Sequence, residues 1–150
     1  MAEIEMVMLR EKIRTVVILL ENEAPRTCEA ILNFLPQELD FINGCASGAE
    51  ALAYLDPPNI VRIEEENLER HPIPGDVAYW YARGPVNPKG SYAGTSTTDY
   101  AELIYFYDRK ARSTGINLFG RMTENLDEFC RASHRIRAEG PIRILIRKLE

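Results

Sequence analysis

Pro74-Gly75-Asp76-Val77-Ala78-Tyr79-Trp80-Tyr81 is a pair of chain breakers followed by an aromatic run, and it predicts a strand over Asp76–Tyr81. Reading outward from it sets the fold. Downstream, residues 83–100 hold three glycines, two prolines and the Ser/Thr cluster Thr95–Thr98, a composition that predicts a long loop. Ala101–Tyr107 is the next strand, followed by a basic loop (Arg109, Lys110, Arg112) and a strand over Ile116–Met122. Asn125 with Glu128 three positions later has the capping-box pattern, so a helix follows with Leu126, Phe129, Cys130 and Ser133 on its buried stripe. Pro141–Leu149 then alternates Ile142, Ile144 and Ile146 against Arg143 and Arg147, the mark of a half-buried strand.

Upstream, Ile4–Leu9 and Thr15–Leu20 are two β-rich runs that predict a hairpin. Pro25 suits the first position of a helix, with Glu21 and Glu23 placed to favour its positive end. Cys28, Ile31, Leu32 and Leu35 fall at i, i+3, i+4 and i+7, one buried stripe, and Pro36 stops the helix. Residues 36–75 are less legible: Ala51–Leu55 and Ile60–Ile63 read as short strands, separated by the turn sequence Asp56-Pro57-Pro58-Asn59. The tally is seven or eight strands and two helices. That excludes a doubly wound parallel sheet and predicts a mainly antiparallel barrel of about eight strands, capped by helices near 25–35 and 125–138.

Composition narrows the function. A length of 150 residues fits one domain over 1–150, with the 83–100 loop as an insertion, and 45% hydrophobic with 27% charged residues excludes a disordered chain. Apolar runs such as Val16–Leu20 and Leu103–Tyr107 fall far short of the ~20 residues of a membrane span, and no secretory apolar region follows Met1, so a soluble cytoplasmic protein is expected. Three scattered cysteines (Cys28, Cys45, Cys130) make neither a disulfide framework nor a thiolate metal site, and read as buried apolar residues. His71 and His134 stand far apart, so no metal and no cofactor is expected. The run Glu64–Glu66 with Glu69 reads as a solvated loop, and the C-terminal arginines as an exposed face. A net charge of −5 opposes nucleic acid at long range, and no glycine-rich phosphate loop is present.

The order of elements resembles the cyclophilin fold, and residues support the resemblance at both ends. Glu21-Asn22-Glu23-Ala24-Pro25-Arg26-Thr27 is similar to the acidic-x-x-x-Pro-Lys-Thr entry of the cyclophilin first helix. His71 to Gly75 resembles a His-x-x-Pro-Gly stretch before a barrel strand, and Leu118-Phe119-Gly120-Arg121-Met122 resembles the Val-Phe-Gly-Lys-Val strand. Pro74–Trp80 and Ile116–Gly120 are similar to the small cyclophilin-like family of bacteria and archaea, which lacks an assigned function. That family has a compact Pro-Pro-Gly turn where this chain has loop 83–100.

The resemblance implies a groove on one barrel face lined by Tyr81, Ile104, Phe106 and Ile116, suited to a small molecule or an extended peptide. It does not carry over an isomerase site. The aromatic-His-Arg-Ile motif survives only as Ile60-Val61-Arg62-Ile63, Glu64-Glu65-Glu66 replaces the segment leading to Gln-Gly-Gly, Ile116 takes the place of the pocket histidine, and the pocket tryptophan has no counterpart in Ala111–Gly115. No catalytic residue is therefore assigned, and a non-catalytic binding module is expected. The alternative is a weak peptidyl-prolyl isomerase using Arg62, and the direction of that side chain separates the two. A third reading is a self-associating protein with loop 83–100 as its contact.

Overall fold

The last strand sets the pattern for the whole barrel: Ile142, Ile144 and Ile146 are fully buried, while Arg143 and Arg147 point out. A computed structural model describes residues 1–44, 47–83 and 99–150 of the chain. In chain order its elements are β1 (Glu3–Met8), β2 (Ile13–Leu19), α1 (Pro25–Phe34), β3 (Gln37–Asn43), β4 (Gly48–Tyr54), β5 (Leu68–Glu69), β6 (Asp76–Ala82), β7 (Tyr100–Ala111), β8 (Ile116–Glu124), α2 (Leu126–Ser133), α3 (Ile136–Glu139) and β9 (Ile142–Lys148). A 3₁₀ turn occupies Pro57–Asn59.

All strands belong to one sheet in the order β2-β1-β9-β3-β4-β7-β6-β8-β5, and a further β2–β8 pairing closes it. Eight strands thus form a closed antiparallel barrel, and β5 lies outside it, paired with the start of β8 (Leu68↔Asn117). Closure removes the exposed edges that an open sheet of this size would present. Alternation divides the side chains of β7 between two apolar clusters. Ala101, Leu103, Tyr105 and Tyr107 join the main core, whereas Ile104 and Phe106 join Leu52, Ala78 and Ile116 on the opposite face of the same strands.

The helices close over the main core. Phe129 of α2 is fully buried with its ring 5.5 Å from Tyr105, which in turn sits 5.2 Å from Phe41, and the Tyr105 hydroxyl lies 2.9 Å from Ser133 Oγ. Cys28 and Ile31 of α1 enter the same cluster. Leu32 and Leu126, expected in it, are half-buried and pack at its margin.

Several expectations need correction. The Asn125/Glu128 capping box is not formed: Asn125 adopts φ 52° and its side-chain amide donates instead to the Arg14 carbonyl at 3.2 Å. The helix expected over 125–138 is two helices, broken at His134–Arg135. Ile60–Ile63 is not a strand, because side chains rather than a neighbouring strand satisfy that backbone. β3 was hidden by its sequence: only Phe41 of Gln37–Asn43 is buried, so the alternation carries little apolar signal. Arg109 and Lys110 belong to β7, which pairs with Gly48 as far as Ala111. Residues 84–98 of the expected loop insertion lie outside the described residues, as does Cys45.

Candidate functional site

Tyr79 on β6 and Asn117 on β8 are register partners, and their side chains hold opposite ends of one irregular segment. The Tyr79 hydroxyl donates to the Val61 carbonyl at 2.6 Å and accepts from the Val61 amide at 3.0 Å. Asn117 accepts from the Glu66 amide at 3.0 Å and donates to the Glu64 carbonyl at 3.1 Å. Both side chains do the work of a missing strand, satisfying backbone groups that would otherwise lack partners. Burial pushes the Tyr79 phenol up to about 12, so it stays a donor at any ordinary pH.

Glu66 extends the anchoring to α1. Its carboxylate accepts from the Thr27 amide (2.8 Å), the Thr27 hydroxyl (2.9 Å) and the Arg26 amide (3.2 Å). Ala24, at the N-cap position, has no side chain that could do this. Burial pushes the Glu66 carboxyl up, but these donors overcome it and hold it below the usual carboxylate range. Glu66 is therefore a helix cap and not a member of a solvated acidic run, although Glu64 and Glu65 are exposed.

The segment so fixed walls a concavity. The β6–β8 ladder ends at Tyr79↔Asn117, while β6 continues to Ala82. Beyond that point a cavity of about 380 Å³ opens, lined on one side by Trp80, Tyr81 and Arg83 and on the other by Arg62, Glu64 and Glu65. Gly115 and Asn117 line it at the start of β8. Trp80 packs edge-on against Tyr100 at 5.5 Å, and the Tyr81 hydroxyl donates to Asp99 at 2.8 Å. Burial and Asp99 push the Tyr81 phenol up, against the weaker opposing pull of the Arg62 and Arg83 charges.

The four residues of the expected groove are placed as follows. Ile104, Phe106 and Ile116 come together on the outer barrel face, each no more than 1% exposed, with Leu52 and Ala78 around them. Tyr81 packs against the main core instead and lines the open concavity. Tyr81 is thus set apart from the other three, which are closed to solvent. Arg62 is exposed, and its Nε lies 3.1 Å from Glu64 Oε1. His134 pairs with Asp108 at 2.9 Å and packs against Tyr107, and no group of metal-ligating side chains occurs among the described residues.

A family model described as "Protein of unknown function (DUF3830)" matches residues 7–146. The chain belongs to that family. No curated protein matches it. Among solved structures, "Structure of McbB in complex with tryptophan" superposes with a TM-score of 0.72 at 18% identity, covering 96% of this chain and 44% of that one. The DUF3830 chain thus spans less than half the length of McbB. The solution structure of the hypothetical protein AF2241 from Archaeoglobus fulgidus superposes with a TM-score of 0.60 at 19% identity, covering 99% of this chain and 95% of that one. Both likenesses are of fold alone. No helix among the described residues is long and apolar enough to cross a membrane.

Of the residues that line or anchor the concavity, the sequence singles out Tyr81 and Arg62 but not Arg83, Glu66 or Asn117. Arg83 stands at the edge of the loop composition and shares its signal. Asn117 carries no local signal, since its role exists only because Glu64–Glu66 passes it 51 and 53 positions earlier.

Proposed function

We propose that this DUF3830 protein is a cyclophilin-like, non-catalytic binding module whose ligand is a small molecule seated at Tyr81, at the end of the β6–β8 ladder. The observation that carries the reading is the open concavity of about 380 Å³ in which Tyr81 stands beside two arginines. Its size lies at the lower end of small-molecule sites, and the combination of an aromatic wall with a few charged groups is how such sites fix orientation. McbB, with the same barrel architecture, has been solved with tryptophan, which supports an aromatic ligand of that size. The outer-face residues Ile104, Phe106 and Ile116 are read here as packing behind the site. Arg62 is not read as an isomerase donor, because an exposed guanidinium held by Glu64 is not oriented toward an apolar proline pocket.

The test is thermal unfolding of the purified protein with L-tryptophan, with indole-3-propionate and with a proline-containing tetrapeptide. Binding to the native state raises the midpoint by mass action. The expected result is a rise with at least one indole compound that Tyr81→Ala abolishes. A rise with the peptide alone, or with none of the three, overturns the reading.

A further inference from the structure

Charge in the concavity is not evenly committed. Arg62 is held only by Glu64, in a pair whose side chains are 54% and 71% exposed. Exposed pairs of this kind contribute at most about 1 kcal/mol, so an incoming anion can take the guanidinium over. Arg83 lines the same cavity and is paired with no carboxylate among the described residues. Tyr81 lines the cavity together with both arginines, and its hydroxyl is already donated to Asp99, leaving its ring face and not its proton for a ligand. Trp80, the preceding residue of β6, faces the other side of the sheet, where it packs on the Ile104 and Phe106 cluster and edge-on against Tyr100.

On the small-molecule reading above, we propose that this site selects a monocarboxylate carried on a flat ring. The acid lies between Arg62 and Arg83, displacing Glu64, and the ring lies against the face of Tyr81. Guanidinium forks match a carboxylate in the plane and give charge-assisted hydrogen bonds, which makes Arg the suitable partner for it. Glu64 and Glu65 line the same cavity and set the limit: a second negative charge meets two carboxylates. The site therefore favours a single acid over a phosphate or a diacid. Asn117 does not compete for the ligand, since both ends of its amide are occupied by the 64–66 backbone.

The experiment is calorimetric titration of the full chain with three compounds sharing one ring and chain length: indole-3-propionate, its neutral amide, and tryptamine. The acid is expected to bind about tenfold or more tightly than the amide, and tryptamine more weakly still. Inorganic phosphate in excess is expected not to compete. In Arg62→Gln and Arg83→Gln the advantage of acid over amide should shrink toward unity. In Glu64→Gln the acid should bind more tightly, because its competitor for Arg62 is gone. Equal binding of acid and amide, a preference for tryptamine, or competition by phosphate overturns the carboxylate assignment but leaves the small-molecule reading standing. Binding by none of the three overturns the carboxylate assignment, and failure of L-tryptophan as well overturns the small-molecule reading.

Discussion

Glu66 caps the N-terminus of a helix that begins 41 positions before it, and the group it holds most closely is the backbone amide of Thr27, at 2.8 Å. Pro25 opens the helix and Ala24 offers no acceptor, so α1 depends on a distant carboxylate for the amides of its first turn. The same segment that walls the concavity with Arg62, Glu64 and Glu65 thus ends by seating α1.

Replacing Glu66 by Ala is expected to cost about 1–2 kcal/mol at neutral pH, the range for removing a helix cap. The pH dependence follows from the direction of the shift. The native carboxyl titrates below its unfolded value, so the native state binds fewer protons. The stabilisation is fully present above the ordinary carboxylate range and is lost as the pH falls through the native value. Urea unfolding at about pH 7 and about pH 3 checks both parts. The parent should lose more stability on acidification than Glu66→Gln does. Glu5, held down by Arg14 and Arg147 against its own burial, contributes to the acid limb in the same sense.

Truncation should separate the two helices' apolar positions. Phe129 is fully buried between Tyr105 and the rest of the core, so Phe129→Ala is expected to cost about 3–5 kcal/mol. Leu32 is half-buried, and Leu32→Ala should fall below the ~2 kcal/mol at which core leucine truncations begin. Equal shifts in the denaturation midpoint would show that the packing of one helix is misassigned.

The barrel was legible because its strongest signals are local. Ile142, Ile144 and Ile146 alternate, Asp76–Tyr81 follows two breakers, and Cys28 and Ile31 share one helical face, so each element could be placed from its own residues. What could not be read depends on pairing between distant residues. β3 buries only Phe41 and is a strand because β9 pairs along it, from Gln37↔Ile146 to Phe41↔Ile142. Asn125 satisfies the capping pattern yet adopts a left-handed backbone and turns its amide to the Arg14 carbonyl of β2, leaving the helix without a side-chain cap. The concavity belongs to this second kind. It exists where the β6–β8 ladder stops at Tyr79↔Asn117, and no property of residues 60–66 alone announces that they will be held there.

Cys28 and Cys130 should be inert in the native protein. Both are buried, and burial pushes each thiol up to about 12, with nearby carboxylates (Glu21 for one, Asp127 for the other) adding to the shift. The thiolate is the reactive form, and at neutral pH its population is negligible at these values. Titration with a chromogenic disulfide should leave both unmodified until denaturant is added, with mass spectrometry of the digested protein identifying the sites. Rapid native labelling of either cysteine would mean that its helix opens readily.

The isomerase alternative makes a sharper prediction. Rotation of a prolyl amide is accelerated when a fixed donor meets the nitrogen as it loses conjugation, and the donor must be aimed before the substrate arrives. Arg62 is not so aimed: it is exposed, lies 3.1 Å from Glu64, and shares its concavity with two carboxylates, while Phe106 and Ile116 are sealed in a separate apolar cluster. A protease-coupled assay on a proline tetrapeptide should therefore show no rate above the uncatalysed one, which itself runs over about 10–100 s at 25 °C. Glu64→Gln is the stringent control, since it frees Arg62, and it too should be inactive because the apolar cluster of Phe106 and Ile116 is separate from the cavity that Arg62 lines. Turnover by the parent that Arg62→Ala abolishes would establish the isomerase and remove the basis for a non-catalytic module.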